Sequence, residues 1–304
     1  MYHYLYVGVV SLRAVKALWQ DLMGFEAFAL PPSHAASLEQ LWAMPPGSIA
    51  SLLGLQTPSA PAGRLVFVEF SVSSPAVREG AAVTDLCPKN LDVNVVDLFE
   101  RAAELEAAGY ELRSSPVEYQ IDQLEVREVQ LGVHDDINLV LAEIVGEDLT
   151  TTSRGYGGVT SVVTTVDDLP REMALLEALE FPLLDAHRLV GPAIEQMIGL
   201  PRGGELHMQL LGNPVHRFGR AELVKYVGVR GANRYSLAVP PARGLLRGAI
   251  QVEDSAASRR ALLTKGFDCG ELFALPDVDG GESVVYSVRS PVGWILDVWG
   301  ARSS

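Results

Sequence analysis

The stretch Glu205–Leu211 carries a polar side chain at every second position. Successive side chains of a β-strand point to opposite faces, so Glu205, His207 and Gln209 share one face and apolar side chains occupy the other. A histidine beside a carboxylate suits proton transfer, because its ordinary pKa is close to neutral pH. We therefore predict that these three side chains point into a ligand cavity. The alternative is that His207 is an ordinary hydrogen-bonded strand residue.

A long internal repeat allows positions to be compared within the one sequence. The segment Leu38–Gly47 reappears as Ile194–Gly203, an offset of 156 residues (194 minus 38). With the same offset, Glu69 falls on Lys225, so a carboxylate in the first copy corresponds to a cation in the second. A repeat of this length predicts two similar halves.

Four similar units of strand, helix and further strands fill the chain. Each begins with an alternating strand, near Tyr4–Val9, Asn90–Val95, Ser161 and Arg247–Val252. We predict an α+β fold of four βαβββ modules that form two cup-shaped domains. The predicted N-terminal domain spans 1–146 (modules about 1–72 and 88–146), and the C-terminal domain spans 156–304 (modules about 156–229 and 244–304).

Composition limits the partners. A length of 304 residues suits two domains of roughly 150 residues each. The formal net charge of −14 argues against nucleic acid, because no basic stripe is available to neutralise phosphates. No apolar run reaches the roughly 18–20 residues that span a bilayer, and no secretion signal is recognised. Cys87 and Cys269 form no ligand-like cluster, so we expect reduced thiols in a cytoplasmic protein. The expected partner is a small-molecule ligand. The sequence leaves open whether the protein is a monomer or a homo-oligomer.

Two local motifs carry a family resemblance. Met23-Gly24-Phe25 follows the first helical stretch, and the segment Ser290–Asp297 (SPVGWILD) closes the last module. With the four-module layout, they resemble the vicinal oxygen chelate superfamily, which includes glyoxalase I, bleomycin-resistance proteins and extradiol dioxygenases. The resemblance covers almost the whole chain. It implies paired modules that form cups, as in the two-domain extradiol dioxygenases.

The resemblance also implies where metal ligands would lie, since that superfamily takes them from the first and last strands of each module. The first-strand positions here are Tyr4, Asn90, Ser161 and Arg247, and the last-strand positions are Glu69, Ala142 (or Glu143), Lys225 and Asp297. None is a histidine, whereas iron and zinc sites favour imidazoles with a carboxylate. Two cations in the expected second-half cup would also repel a metal ion. We expect no metal cofactor, although iron or zinc held by other residues stays open.

The same positions supply the predicted site. The expected catalytic residues are Lys225, His207 and Asp297. The expected substrate-binding residues are Ser161, Glu205, Gln209, Arg247, Trp299, Tyr4, Tyr6, Glu69 and Asn90, with Asp92 and Asn94 as further polar candidates. The alternative is that Lys225 and Arg247 form structural ion pairs with Asp297 and Glu205.

Three functions fit these residues. The first is a metal-independent lyase or isomerase that uses acid–base chemistry on a small oxygenated metabolite, aromatic ones included. The second is a non-catalytic small-molecule or antibiotic binding protein of the bleomycin-resistance type. The third is a ring-cleaving dioxygenase of the extradiol type with displaced metal ligands.

Overall fold

The computed structural model describes residues 1–72, 74–147, 149, 151–276 and 281–301, so residues 302–304 of the predicted C-terminal domain lie outside the described residues. The strands are β1 (Tyr2–Val9), β2 (Glu26–Phe28), β3 (Ile49–Gln56), β4 (Arg64–Phe70), β5 (Pro88–Val95), β6 (Glu111–Leu112), β7 (Val117–Ile121), β8 (Leu124–Gly132), β9 (Asn138–Ile144), β10 (Tyr156–Thr165), β11 (Leu183–Val190), β12 (Glu205–Leu211), β13 (Arg220–Tyr226), β14 (Gly244–Asp254), β15 (Asp268–Cys269), β16 (Phe273–Pro276), β17 (Glu282–Arg289) and β18 (Ile295–Ala301). The predicted α+β class and the repeated strand–helix–strands pattern are confirmed.

Helices pack beside these strands. They are α1 (Leu12–Val15), which continues as a π-helix over Lys16–Leu22, then α2 (His34–Leu41), α3 (Leu98–Ala107), α4 (Leu169–Ala178), α5 (Pro192–Ile198) and α6 (Ser255–Thr264). Local sequence explains two of the starts, because Asp168 and Asp254 each accept a hydrogen bond from a backbone N–H in the first turn of the helix that follows. No helix in the described part of the chain is long and apolar enough to cross a membrane.

The strands form two nine-stranded sheets. Sheet I has the order β15-β17-β18-β14-β1-β4-β3-β2, with β16 on β17. Sheet II has the order β11-β12-β13-β10-β5-β9-β8-β6, with β7 on β8. The convex faces of both sheets share one apolar core, in which Tyr2 contacts Phe181 with 5.1 Å between ring centroids.

The pairing of the modules differs from the sequence-based expectation. Strand β1 pairs antiparallel with β14, and β5 pairs antiparallel with β10. Sheet I therefore combines modules one and four, and sheet II combines modules two and three. The expected cups, each from one half of the chain, are wrong in this respect. The four opening strands have similar alternation, so local pattern cannot choose which two of them pair.

The repeat is visible in matching hydrogen bonds. The Glu39 carboxylate in α2 accepts the Gly47 N–H at 3.1 Å, and the Glu195 carboxylate in α5 accepts the Gly203 N–H at 2.6 Å. Both pairs are eight residues apart and related by the offset of 156 residues. Each carboxylate thus holds the same turn after the same helix.

Two equivalent glycines lie where the sheets meet. Gly63 and Gly219 have φ values of +70° and +67°, a region that L side chains rarely adopt. A Cβ on Gly63 would lie 2.4 Å from the Val159 carbonyl oxygen, and one on Gly219 would lie 2.1 Å from that of Tyr2. Glycine is therefore required at both positions by conformation and by space.

Bulky side chains of the described residues pack on the concave face of sheet I. Helix α2 and the residue after it pack into this face with bulky apolar and aromatic groups. They form a cluster of side chains no more than 7% exposed: Tyr4, Tyr6, Leu38, Leu41, Trp42, Ile49, Val66, Val68, Ala249, Leu275, Val285 and Trp299. The predicted ligand-binding residues Tyr4, Tyr6 and Trp299 thus lie on the predicted face, but they pack as core.

An ion pair is buried within this filled cup. The Arg247 guanidinium donates to Asp297 at 2.9 Å, and the Ser287 hydroxyl donates to the same carboxylate at 2.6 Å. The Trp42 indole N–H donates to the other oxygen at 3.0 Å. Asp297 is fully buried. The alternative reading of Arg247 and Asp297 as a structural pair therefore describes their geometry.

Removing one partner of this pair should destabilise the fold. We expect Asp297→Ala to lower the free energy of unfolding by about 3–5 kcal/mol, because it leaves the Arg247 charge buried and unpaired. Urea unfolding followed by tryptophan fluorescence measures this loss. The matched control is Glu205→Ala in the more exposed pair with Arg188, for which a much smaller loss is expected because water screens the pair. Equal losses in the two variants would contradict the structural role of Asp297.

The sheet pairing predicts that neither half folds alone into a complete cup. Fragments 1–146 and 156–304 each contain one module of sheet I and one of sheet II, with their β1, β5, β10 and β14 edges unpaired. We expect each fragment to aggregate or expose apolar surface alone, and the two to copurify as a 1:1 complex when coexpressed. Size-exclusion chromatography with light scattering checks this, and two separately monomeric, folded fragments would contradict the pairing.

Candidate functional site

The concave face of sheet II encloses a cavity of about 530 Å³. Helix α5 covers it with Met197 and Ile198, and the β7–β8 hairpin contributes Tyr119 and Leu124. Its lining combines apolar side chains with a buried polar floor. This cavity lies on the face that bulky side chains cover in the described part of sheet I.

Smaller side chains explain the open cavity. With the offset of 156 residues, Ile198 in α5 corresponds to Trp42, the residue that follows α2. The strand register likewise places Ser161 where sheet I has Tyr4, since Tyr4 pairs with Arg64 and Ser161 with Arg220. Exchange of aromatic rings for smaller groups leaves unfilled volume at equivalent positions.

Two carboxyl groups meet on the cavity floor. Asp92 of β5 and Glu222 of β13 are hydrogen-bonded to each other. The Ser161 hydroxyl of β10 lies 2.7 Å from Asp92 Oδ2 and 3.3 Å from Glu222 Oε2. The Asn90 side-chain amide donates to Asp92 Oδ1 at 2.6 Å. Three adjacent strands of two modules thus build one cluster.

The electrostatics of this pair favour a shared proton. Burial raises the pKa of both carboxyls, and repulsion from Asp92 adds to the rise for Glu222. Two carboxylates in contact cannot both ionise easily in a desolvated site. The two groups titrate as one unit, and their raised pKa values favour a state in which the pair holds a single proton.

A third acid, half-buried, lies on the cavity wall. Glu128 of β8 accepts a hydrogen bond from the Tyr119 hydroxyl at 2.5 Å. Burial raises the pKa of Glu128 to about 8, so this side chain is largely a neutral acid at pH 7. The wall therefore offers a neutral hydrogen-bonding group rather than a fixed charge.

A buried lysine lies beside the acid pair. Lys89 Nζ donates to the Tyr226 hydroxyl. Burial and then the nearby Arg78 charge lower the Lys89 pKa to about 7, while Glu222 and Asp92 act in the opposite direction. Lys89 can therefore gain or lose a proton near neutral pH.

An arginine lines the cavity on the same strand as Glu222. Arg220 is two residues before Glu222 in β13, so both side chains share the concave face. Its Nε is buried and has no hydrogen-bond partner among the described residues. The neighbouring cation Arg217 is paired with Glu147 instead.

The residues first predicted from alternation lie on the opposite face. The concave side of β12 presents Leu206, Met208 and Leu210 to the cavity. His207 is 44% exposed and pairs with Glu205 at 3.0 Å, and Glu205 also binds Arg188 at 2.6 Å. These two Glu205 contacts lower the pKa of that carboxyl to about 2. The predicted inward orientation of Glu205, His207 and Gln209 is therefore wrong.

Lys225 and Glu69 also lie on convex faces. Val224 and Tyr226 line the cavity, so the intervening Lys225 points the other way, opposite His207 in the strand register. The Glu69 carboxylate accepts the Leu12 N–H at the start of α1 at 3.3 Å. The predicted orientation toward a cup is wrong for both residues. They do occupy equivalent positions of the repeat, as the sequence predicted.

Glu143 shows the same local role as Glu69. Its carboxylate accepts the Leu98 N–H at the start of α3 at 3.1 Å. The neighbouring position, Ala142, lines the cavity. Carboxylates on the last strands of modules one and two thus serve helix N-termini, which favour negative charge.

The structure brings together only part of the predicted site. Asn90, Asp92 and Ser161 lie at the cavity, whereas Arg247 and Asp297 lie in the other sheet. Sequence reasoning missed two acidic residues, Glu222 and Glu128, and two basic residues, Lys89 and Arg220. The one signal in the sequence was that Arg220 and Glu222 share a face of strand β13. Leu223 and Val224 point to opposite faces and are both buried, so periodicity does not tell which face of the strand lines a cavity.

The cavity offers few of the ligands that an iron or zinc site would need. His187 lines the cavity from edge strand β11 and is paired with Asp185 at 2.8 Å. Among the described residues, no three His, Cys, Asp or Glu side chains are grouped closely enough to hold a metal ion. Asp92 and Glu222 are instead satisfied by each other and by Ser161. These residues do not fit an imidazole-rich metal centre.

Comparison with known proteins rests on structure. No protein-family model matches the sequence, and no curated protein matches it significantly. The chain is similar to glyoxalase I from Zea mays, with 15% identity, a TM-score of 0.67 and coverage of 98% of this chain and 92% of that one. It is also similar to a putative dioxygenase from Bacillus subtilis, with 9% identity, a TM-score of 0.55 and coverage of 100% and 86%.

At these identities the likeness establishes the fold, over essentially the full length of the chain. The structural neighbours are members of the vicinal oxygen chelate superfamily. The resemblance seen in the sequence is thus confirmed at the level of fold. The protein has the vicinal oxygen chelate fold, built from four modules in a single chain.

Proposed function

We propose that the cavity of sheet II is an active site that performs metal-independent proton transfer, of the lyase or isomerase type, on a small oxygenated metabolite. The observation that carries this proposal is the Asp92–Glu222 pair, in which two carboxyl groups in contact face a cavity and desolvation raises the pKa of both. Such a pair offers a base and an acid on one surface, as proton transfer requires.

Each group has a role that its surroundings support. The Asp92 carboxylate accepts a proton from a carbon next to a carbonyl, and the electron pair of that C–H bond forms the enol double bond. The Glu222 carboxyl donates its proton to the carbonyl oxygen, which gives an enediol when the first carbon carries a hydroxyl. Asp92 then returns the proton to the former carbonyl carbon and Glu222 takes the proton of the neighbouring hydroxyl, so the carbonyl moves to the other carbon and the isomerisation is complete. The Ser161 hydroxyl orients both carboxyls. Protonated Lys89 stabilises the negative charge that develops on the oxygen.

The remaining walls suit a substrate with an apolar body. Leu206, Met208 and Val140 line the same cavity as the acid pair. A volume of about 530 Å³ is within the usual range for small-ligand pockets. A ring or short branched chain with hydroxyl or carbonyl groups matches this combination of surfaces.

The binding protein is the second candidate function. It is favoured by the internal pairing of the acids, since Asp92 accepts from Ser161 and Asn90, and Glu128 accepts from Tyr119. A cavity whose acids are already hydrogen-bonded can hold a ligand without reacting with it. The dioxygenase alternative is less well supported, because the donor set does not fit an iron centre.

Deuterium exchange distinguishes catalysis from binding. We expect the wild type to exchange the α-hydrogen of at least one member of a panel of α-hydroxy ketones and aryl ketones in D2O, followed by proton NMR. Asp92→Asn and Glu222→Gln should each lower that rate by about 10²–10⁴-fold, because each removes one partner of the proton transfer. Binding of a panel member without exchange above the protein-free rate would support the binder instead.

The same assay tests the catalytic role predicted from the sequence for Lys225 and His207. Losses in Lys225→Ala and His207→Ala that equal those of Asp92→Asn would move the site to the convex face. Metal analysis of the purified protein provides the second check. Stoichiometric iron or zinc, with exchange abolished by chelation and restored by that metal, would overturn metal independence.

The neutral state of Glu128 predicts a pH-dependent stability. Its pKa is about 8 in the folded protein against an ordinary value of 4.5, so its stabilising contribution is full below about pH 4.5 and is lost as the pH rises toward 8. One such group lowers the free energy of unfolding by up to about 1.4 kcal/mol per pH unit in this window. We expect Glu128→Gln to gain stability relative to the wild type from pH 5 to pH 8 in urea unfolding. A constant difference across this range would show that Glu128 is ionised in the folded state.

A further inference from the structure

A smaller chamber adjoins the main cavity. It has a volume of about 310 Å³ and lies between the loop after β4, helix α5 and one end of sheet II. Lys89, Gln130, Met197 and Ile198 line both spaces. A ligand could therefore extend from one space into the other past these shared side chains.

The charge of the chamber is opposite to that of the protein. The chain has a formal net charge of −14. The chamber is nevertheless lined by three cations, Arg78, Lys89 and Arg113, against one carboxylate, Asp136. Asp136 is already paired with Arg113 at 2.6 Å. Asp136 therefore does not neutralise the other two cations of the chamber, Arg78 and Lys89.

Neither of those two cations has a carboxylate partner among the described residues. Arg78 donates from one terminal nitrogen to Cys87 Sγ at 3.1 Å, and its Nε is buried without a hydrogen-bond partner. Lys89 Nζ donates to the Tyr226 hydroxyl. A buried donor without a partner is costly, so an oxyanion placed here would gain both charge pairing and hydrogen bonds.

The titration of Lys89 is consistent with a missing counter-ion. The Arg78 charge is the second cause, after burial, of the lowered Lys89 pKa. Two cations that repel each other in a desolvated chamber are both stabilised by one anion between them.

We propose that the side chamber binds the anionic group of a small carboxylate through Arg78 and Lys89, while the body of that molecule lies in the main cavity beside the Asp92–Glu222 pair. This inference rests on the proposed function for the role of the main cavity, and it narrows the substrate class to carboxylates. The planar guanidinium of Arg78 matches the geometry of a carboxylate.

A matched acid and amide test the charge preference. By calorimetry at pH 6.5, we expect 3-phenylpropionate to bind at least tenfold more tightly than 3-phenylpropionamide, which has the same shape without the charge. Arg78→Met should reduce this preference to less than threefold, and Arg78→Lys should retain part of it. Arg13→Met, at an exposed position, is the matched control and should leave the preference unchanged.

The outcome at Arg220 separates the two ends of the cavity. If Arg220→Met abolishes the preference for the acid and Arg78→Met does not, the anion binds at the other end and the proposal is overturned. Equal binding of the acid and the amide overturns it as well. Inorganic phosphate alone is a further arm, and phosphate that competes with the acid in the wild type but not in Arg78→Met supports an oxyanion site of the same residues.

A wild-type measurement covers the case in which Arg78→Met does not fold. Arginine Nε–H signals can be followed by NMR, with that of Arg78 assigned by its absence in Arg78→Lys. The acid should shift this signal and the amide should not, because the buried Nε gains a partner only from the anion. An unshifted signal at saturating acid overturns the proposal.

The pH dependence provides a readout specific to Lys89. The charged and titratable groups that face Lys89 are Arg78, Cys87, Asp92, Glu222 and Tyr226, and Arg113 and Asp136 line the same chamber. Lys89 loses its charge as the pH rises through about 7, so acid affinity should fall severalfold between pH 6 and pH 8.5. Lys89→Met should flatten this dependence. An affinity independent of pH in the wild type would contradict a role for Lys89.

The two proposals fail separately. Asp92→Asn and Glu222→Gln should lower exchange by about 10²–10⁴-fold and leave the preference for the acid in place. A preserved acid preference with no exchange on any panel member, ketones that carry a carboxylate included, refutes the proposed reaction alone. Exchange without an acid preference refutes the anion site alone.

Discussion

The backbone pairing of β5 with β10 is the interaction on which the candidate site depends. In this register Asp92 lies opposite Ser161, so residues from modules two and three meet on the floor of one cavity. Strand β13 pairs with β10 from the other side and brings Glu222 to the same place. Without this pairing, the acids would belong to separate modules and would face solvent. Their raised pKa values follow from the burial that the sheet imposes.

The two cups show how one repeated architecture can serve different purposes. In sheet I, Trp42, Tyr4 and Tyr6 fill the concave face, and the buried Arg247–Asp297 pair is held by additional hydrogen bonds. In sheet II, smaller and more polar residues leave a cavity and concentrate unfavourable groups around it. Functional sites commonly carry such local conflicts, which the rest of the structure offsets. The apolar core that the convex faces of the two sheets share offsets those conflicts.

Charge divides the open cup into two regions. The floor carries acids with raised pKa values, and the side chamber carries cations without carboxylate partners. Lys89 lies between them and interacts with both, since Arg78 lowers its pKa while Glu222 and Asp92 raise it. This arrangement suits a ligand with an anionic end and a neutral, oxygenated body. The same lysine would then sense the bound anion and support the proton transfer beside it.

The sequence by itself determined the modules and much of their local structure. Alternation located the opening strands and the correct faces of Tyr4, Asn90 and Arg247, because those strands have one clearly polar phase. The repeat also determined that Glu39 and Glu195 occupy equivalent places, where each holds the same turn.

Only the tertiary structure decided which modules share a sheet and which phase of the later strands faces a cavity. Strands β12 and β13 carry buried residues on both faces, so their alternation gives a period but no direction. That ambiguity put His207 in the predicted site and left Glu222 out, whereas Lys225 was included because of the family position that the resemblance implied. Long-range strand pairing resolves it, because a side chain faces a cavity only in relation to the strands beside it.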